Sequence, residues 1–120
     1  MTAIGGLLRR LLGHGKATPP DANERDFAEA LKRNLLGRDL ERQGRENEAI
    51  ELYEDNVRAG FIGSHPYERL RVIYTRNKDF ASALRVCEAY IGAAGSHDPS
   101  AAKVKRFRES AEKLRSRARV

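Results

Sequence analysis

The stretch LLGRDLERQGRENEAIELYEDNVRAG, residues 35–60, decides the fold, because its pattern returns in HPYERLRVIYTRNKDFASALRVCEAYI, residues 65–91. At an offset of 34 residues, small or apolar side chains agree at six pairs of positions. The pairs are Leu36 with Leu70, Leu40 with Tyr74, Ala49 with Ala83, Ile50 with Leu84, Tyr53 with Cys87, and Val57 with Ile91. A repeat of this period predicts stacked supersecondary units, none of which buries its apolar face alone.

Start and stop signals divide the chain into five predicted helices, and no segment keeps the alternation typical of a strand. The Thr18–Asp21 stretch combines a capping residue, prolines and an acid, which is typical of a first helical turn. Gly44 is expected to end this first helix. The second helix is predicted from about Glu46 to Ala59, and the third follows Ser64 and ends near Asn77. The fourth is capped by Asp79 and runs to Ile91, before a loop at residues 92–96. The fifth begins at Asp98-Pro99 and ends at about residue 118.

Apolar residues recur at three- and four-residue spacing in each predicted helix, which indicates a buried stripe. In the first helix the stripe consists of Phe27, Leu31, Leu35, Leu36 and Leu40. We therefore expect an all-α domain at residues 19–120. Its parts are two stacked antiparallel helical hairpins, about 30–63 and 64–97, and a C-terminal capping helix, 98–118. Residues 1–18 are expected to form a flexible or short amphipathic segment that can cover the first hairpin.

The two copies resemble the tetratricopeptide repeat, a family of stacked helical hairpins. In the first copy the matching residues are the Leu36-Gly37 pair, Leu40, Gly44, Ala49 and Tyr53. In the second copy they are Tyr67, Leu70, Tyr74, Phe80 and Ala83. The copies depart from the family pattern at Arg71 and Lys78, which replace glycines, at Glu46, which replaces an aromatic residue, and at Asn56 and Tyr90, where alanine is usual.

Basic residues are concentrated at the two ends of the chain. The 120 residues carry 23 Lys and Arg and 17 Asp and Glu, a net charge of +6. The last predicted helix alone carries eight bases: Lys103, Lys105, Arg106, Arg108, Lys113, Arg115, Arg117 and Arg119. Such a helix could grip phosphates without sequence preference, or could be a well-solvated cap. A single cysteine and the absence of a long apolar run favour a reducing, cytoplasmic setting and no membrane insertion.

No motif in the sequence indicates an enzyme, a metal site or a cofactor. His14, His65 and His97 lie far apart, and none has a second ligand at metal-binding spacing. Cys87 takes an apolar position of the repeat and is expected to be a core thiol. His65 precedes Pro66 at a helix start and is expected to face solvent.

The resemblance implies a concave groove, lined by the first helix of each hairpin, that holds a peptide or helix of a partner protein. Carried over by register, the groove positions are Leu31, Asn34, Arg38, Glu41, Arg42, His65, Glu68, Val72, Thr75, Arg76 and Arg106. The residues expected to contact the partner are Asn34, Arg38, Arg42, Arg69, Arg76 and Arg106. Four of the arginines could form one basic strip suited to carboxylates or phosphates: Arg38, Arg42, Arg76 and Arg106. They could instead form scattered pairs with nearby acids such as Glu41 and Glu68.

The sequence thus favours a small non-enzymatic adaptor for protein–protein interaction. Two alternatives stay open at this point: nucleic-acid binding through the basic C-terminal helix, and self-assembly as a structural subunit. Two hairpins are fewer than the roughly three repeats that such stacks need for stability. The last helix is therefore expected to cover one open end of the stack.

Overall fold

The computed structural model of the protein describes residue 19 and residues 21–119. Its regular structure there is entirely helical, which confirms the predicted all-α fold. The helices are α1 (Ala22–Arg42), α2 (Glu46–Arg58), α3 (His65–Arg76), α4 (Phe80–Gly95) and α5 (Ala102–Ala118). The predictions made for residues 1–18 lie outside the described residues. No helix of the described part is both long and apolar enough to cross a membrane.

Each helix packs mainly against its neighbours in the chain, so the molecule is a linear stack of helical hairpins. α1 packs on α2, α2 on α3, α3 on α4, and α4 makes the most extensive contact, with α5. Only three to six residues join each helix to the next. Because such short connections reverse the chain, neighbouring helices are antiparallel. α1 and α5 therefore form the two ends of the stack.

The offset of 34 residues extends from the side chains to the backbone. α1 ends at Arg42 and α3 at Arg76, while α2 begins at Glu46 and α4 at Phe80. Both turns close with the same bond: Arg45 N–H donates to the Leu40 carbonyl at 2.9 Å, and Asp79 N–H donates to the Tyr74 carbonyl at 2.8 Å.

Each of these two turns contains one residue in the left-handed region, Gly44 with φ of 76° and Lys78 with φ of 63°. The departure of Lys78 from the glycine pattern therefore changes the residue type but not the turn.

The core consists of two clusters joined by half-buried Val57 and Tyr74. The first cluster lies between α1, α2, α3 and α4 and contains Leu40, Ala49, Tyr53, Leu70, Ile73 and Val86. The second lies between α3, α4 and α5 and contains Tyr67, Ala83, Cys87, Tyr90, Val104, Phe107, Ala111 and Leu114. The expectation of a core thiol is confirmed, since Cys87 is fully buried and burial raises its pKa to about 11.

Gly37 sets the distance between α1 and α2. A Cβ atom built on Gly37 would lie 2.7 Å from Tyr53 Cε1 and 2.8 Å from Cζ. Contacts this short do not occur in relaxed proteins, so the Tyr53 ring fits only because residue 37 has no side chain. The fully buried Ala49 is small for a similar reason, since it lies on the face of α2 that packs into this cluster.

The predicted apolar stripe of α1 is wrong in four of its five residues. Only Leu40 is buried, whereas Phe27, Leu31, Leu35 and Leu36 are exposed among the described residues. α1 turns a different face to α2, formed by Ala30, Asn34, Gly37 and Leu40. The physical reason is close packing: two small residues and a hydrogen-bonded amide let α2 approach nearer than a row of leucines would.

Three helix boundaries also differ from the prediction. α1 starts after Asp21, whose carboxylate accepts from Glu24 N–H at 2.8 Å while Glu24 accepts from Asp21 N–H, a reciprocal capping box. α4 continues through residues 92–95, where a loop was expected, because buried Gly95 brings α4 against Val104 of α5. α5 begins only at Ala102, since residues 98–100 form a turn held by Asp98.

Candidate functional site

A basic cleft lies where the last two turns of α1 meet the first turns of α3. It is lined by Arg38, Glu41, Arg42, His65 and Arg69 and has a volume of about 300 Å³. Three of the six predicted contact residues, Arg38, Arg42 and Arg69, meet here. With three guanidinium groups against one carboxylate, the cleft has the charge and the size to receive a carboxylate or phosphate group.

Glu41 lies at the floor of the basic cleft and links three helices. Its Oε2 accepts a hydrogen bond from the Tyr53 hydroxyl at 2.6 Å. Arg69 of α3 binds the same carboxylate with two nitrogens, Nη2 to Oε1 at 2.7 Å and Nε to Oε2 at 3.1 Å. The network positions the Arg69 guanidinium and neutralises the only acid of the cleft.

The hydrogen bonds to Glu41 control its ionisation. Burial alone would raise the pKa of this carboxyl group, but the bonds from Arg69 and Tyr53 outweigh burial and hold its pKa below the usual value. Burial and the hydrogen bond to Glu41 both raise the pKa of Tyr53. Glu41 is therefore ionised and Tyr53 protonated at neutral pH.

Arg38 and Arg42 supply the charge of the cleft that Glu41 does not neutralise. Arg42 Nη1 lies 3.0 Å from Asp39 Oδ1, in a pair whose two side chains are both more than half exposed. Such pairs contribute little and exchange easily with water. Arg38 is exposed, and no carboxylate of the described residues forms an ion pair with it. Arg38 is thus the residue of the cleft best placed to meet an acidic group from outside.

His65 is half-buried in the cleft wall, which corrects the expectation that it faces solvent. Its ring stands edge-on to Tyr53, with 5.6 Å between the ring centroids. Burial lowers the pKa of His65, and the charges of Arg69 and Arg38 lower it further, while Glu41 acts in the opposite direction. A neutral imidazole in this position responds to any new negative charge in the cleft.

Asn34 is not on the groove surface, contrary to the expectation for a partner contact. It is buried between α1 and α2, where its Oδ1 accepts from Asn56 Nδ2 at 2.8 Å. Asn56 Nδ2 also donates to the Ala30 carbonyl at 2.9 Å, and its Oδ1 accepts from Arg33 Nη1 at 3.0 Å. Sequence analysis missed this network, although an asparagine at a position that is usually alanine was its signal.

Arg76 and Arg106 do not line the basic cleft. Arg76 forms an ion pair with Glu46 at the start of α2, and the same carboxylate accepts from Asn77 Nδ2 at 3.0 Å. Arg106 is exposed on α5, within electrostatic range of Tyr90. The four arginines predicted as one basic strip are therefore separated. Arg38 and Arg42 lie in the cleft, Arg76 is in an ion pair with Glu46, and Arg106 forms no ion pair within residues 21–119.

Four of the eight bases of the C-terminal helix have partners within the protein. Lys103 Nζ bonds Ser64 Oγ at 3.1 Å, and Arg108 Nη1 bonds the Pro99 carbonyl at 2.9 Å. Arg115 pairs with Glu88 and Glu112, and the Arg117 guanidinium lies 4.2 Å from the centroid of the Phe80 ring. These contacts help to attach α5 to the stack. They also reduce the number of basic side chains that are available to a partner.

A second, mainly apolar cleft of about 800 Å³ lies at the other end of α1. Its floor is Phe27, stacked on Phe61 with 5.7 Å between centroids, and Ile62 is exposed beside them. The Tyr67 hydroxyl donates to the Phe61 carbonyl at 2.5 Å and fixes this loop. Asp26, Glu29, Arg33 and His97 line the rim.

Residue 19 and residues 21–119 contain no cluster of three or more His, Cys, Asp or Glu side chains arranged to hold a metal ion. No protein-family model, no curated protein and no solved structure matches the chain.

Proposed function

We propose that the protein is a small non-enzymatic adaptor that binds an acidic peptide or helix of a partner protein at the basic cleft. Its resemblance to the tetratricopeptide repeat supports a noncovalent role of this kind, and its single cysteine favours a cytoplasmic setting. The partner's carboxylate would meet Arg38 and Arg42, while Arg69 and Glu41 keep the cleft in shape.

The observation that carries this proposal is that Arg38, beside the half-buried His65, forms no ion pair with the part of the chain that the structure describes. Most other arginines of the stack have a carboxylate close by, as Arg69 has Glu41 and Arg85 has Glu54. Arg38 shares the cleft with Arg42, Arg69 and His65, and the one carboxylate of the lining, Glu41, is bound by Arg69. A site with excess positive charge favours an anionic partner and speeds its encounter.

A titration of the full chain with a synthetic peptide tests the proposal. The probe is an amphipathic Glu-rich peptide with both ends blocked, and its counterpart carries Gln at every Glu. We expect binding of the Glu peptide alone, and a raised pKa of His65 in its presence, followed by NMR. The R38E/R42E variant should bind at least about tenfold more weakly, the loss expected from a charge-assisted contact of about 1.4 kcal/mol.

A matched control changes the same net charge elsewhere. The R45E/R58E variant reverses two exposed arginines at the two ends of α2 that pair with Glu48 and Asp55. It should bind the Glu peptide as the unchanged protein does, once salt screens long-range effects. Equal binding of the Gln peptide, or an unmoved His65 pKa, would contradict an anion site at this cleft.

A pull-down from native extract, divided into nuclease-treated and untreated halves, names the partner. A protein retained in both halves and lost with R38E/R42E supports the adaptor. Loss of every retained protein after nuclease treatment would move the function to nucleic-acid binding through α5. The internal partners of Lys103, Arg108, Arg115 and Arg117 weigh against that second outcome.

A further inference from the structure

The two ends of the helical stack have opposite surface characters. α5 presents exposed charged residues such as Lys105, Glu109 and Glu112 to solvent. α1 presents Phe27, Leu31 and Leu35, whose exposed fractions are 52%, 42% and 53%. Terminal helices of a stack normally need a polar outer face to remain separate in water. α5 has such a face, whereas α1 carries this apolar row beside exposed charged residues such as Glu29 and Lys32.

Three of the exposed apolar residues of α1 form one continuous row, the α1 stripe: Phe27, Leu31 and Leu35. Spacing of four residues places them on one face of the helix, along the middle of its length. α1 is 21 residues long, which corresponds to about 30 Å. A contiguous apolar row of this kind marks an interaction surface more often than scattered exposed leucines do.

The charges that flank the α1 stripe are arranged symmetrically about Leu31. Glu24 lies seven residues before Leu31 and Arg38 seven residues after it, while Phe27 and Leu35 lie four residues to either side. Seven residues are about two helical turns, so Glu24 and Arg38 lie on the same face as the stripe, beyond its two ends. The pattern is thus apolar in the middle, acidic at one end and basic at the other.

We propose that the α1 stripe is an interface between two copies of this chain, which pack α1 against α1 in antiparallel orientation. Leu31 then meets Leu31 of the second copy at the two-fold axis, and Phe27 meets Leu35. Glu24 meets Arg38 twice, once at each end. The arrangement is self-complementary, as a two-fold interface must be, and it supplies Arg38 with a carboxylate partner.

The same features argue against a parallel pairing of the two helices. A parallel pair would place Glu24 beside Glu24 and Arg38 beside Arg38, and like charges at short distance destabilise a helix pair. A contact through one helix is small compared with standard interfaces. We therefore expect a weak, concentration-dependent dimer.

Sedimentation equilibrium of the full chain across a wide concentration range tests the proposal. We expect a monomer–dimer equilibrium that L31D shifts to monomer by at least tenfold in dissociation constant. The matched control is L36D, since Leu36 is an equally exposed leucine of α1 that lies roughly 140° around the helix from Leu31. L36D should dimerise as the unchanged protein does.

Charge exchange tests the antiparallel register. R38E should weaken the dimer, because it places two carboxylates together at each end, and E24R/R38E should restore it by exchanging the signs. Melting of each variant at low concentration reports any loss of the capping box of Glu24.

A protein that stays monomeric at every concentration would overturn the proposal, as would equal effects of L31D and L36D or failure of the double exchange to restore association. L31D changes no residue of the basic cleft. If the dimer proposal fails, peptide binding at the cleft is therefore unaffected, and the two proposals can be tested separately.

Discussion

Gly37 and Tyr53 show how one missing side chain fixes the contact between two helices. The Tyr53 ring occupies the space that a Cβ of residue 37 would need, and its hydroxyl reaches Glu41. The same face of α1 accommodates the Asn34–Asn56 hydrogen bond. Close packing here is therefore achieved with small and polar residues rather than with leucines.

We expect G37A to destabilise the protein by about 1–3 kcal/mol, because the added methyl group overlaps the Tyr53 ring and overpacking costs this much. Chemical denaturation measures the change. The control is G92A in α4, where a Cβ would have no neighbour within 4 Å. Since alanine favours helix, G92A should instead stabilise by up to about 1 kcal/mol. Equal effects of the two substitutions would contradict the contact.

Glu41 makes the stability of the cleft depend on pH. Its pKa in the folded protein is lower than the usual 4.5, so its ionised form stabilises the fold. This contribution is complete above the unfolded pKa and is lost as the pH falls through the lower, folded pKa. At neutral pH, E41Q should destabilise the protein by about 1.5–3 kcal/mol, the range for hydrogen bonds to charged groups.

The difference between the unchanged protein and E41Q should therefore shrink as the pH falls from 7 to about 3. Unfolding by denaturant at a series of pH values measures it. E48Q is the control, since Glu48 pairs with Arg45 on the exposed surface and should change stability little. A difference between the unchanged protein and E41Q that is constant across pH would refute the role of Glu41.

At the scale of elements, the two hairpin turns are the same structure built from different residues. Gly44 and Lys78 both take the left-handed conformation after a helix. A side chain pays a conformational cost there, whereas glycine does not. The second turn is therefore held by the fold around it rather than by its own preference.

K78G should stabilise the protein by about 1 kcal/mol, the cost of a side chain in this conformation. Thermal unfolding measures the gain. G44A should produce a loss of similar size, and no steric effect complicates it, because a Cβ on Gly44 would meet nothing within 4 Å. A destabilising K78G would show that the lysine side chain makes a contact that outweighs its backbone strain.

Helix existence and order could be predicted from the sequence, because spacing, capping residues and the offset of 34 residues all agree on them. The buried face of α1 could not. A row of Phe27, Leu31 and Leu35 predicts burial from hydropathy alone, whereas the contact that formed depends on the fit between Gly37 and Tyr53. α4 likewise extends over Gly92 and Gly95 because packing on α5 outweighs the low helix propensity of glycine.

At the scale of the whole molecule, half of the six predicted contact residues lie at the candidate site. The repeat register placed Arg38 and Arg42 on the groove side, since equivalent positions of successive hairpins lie on one side of a stack. Arg69, which was expected to contact the partner but is not a register position, joins them in the cleft. The register could not separate them from Arg76, whose ion pair depends on Glu46 of the preceding hairpin. The register also could not show that Asn34 lies between the two helices of the first hairpin, where its side chain accepts a hydrogen bond from Asn56.

α5 closes the stack, so truncation of its core aromatic residue should weaken the whole molecule. Phe107 is buried and lies 4.3 Å from Tyr90 between ring centroids. F107A should cost about 3 kcal/mol or more, as buried phenylalanines do. Dilute-solution denaturation measures it, with half-exposed Phe27 as the comparison: F27A should cost no more than about 1 kcal/mol. If α5 unfolds separately in F107A, the stack is not one cooperative unit.

The pair of Gly37 and Tyr53 has a further consequence for how the chain avoids folding errors. At the equivalent positions of the second hairpin stand Arg71 and Cys87, a large residue opposite a small one instead of the reverse. If the helices paired one repeat out of register during folding, α2 would pack on α3 with Tyr53 against Arg71, and α4 would pack on α1 with Cys87 against Gly37. The first pairing would be too crowded, and the second would leave an unfilled space. The large and the small residue of this contact are therefore exchanged between the two hairpins. As a result, the second helix of each hairpin fits only its own first helix.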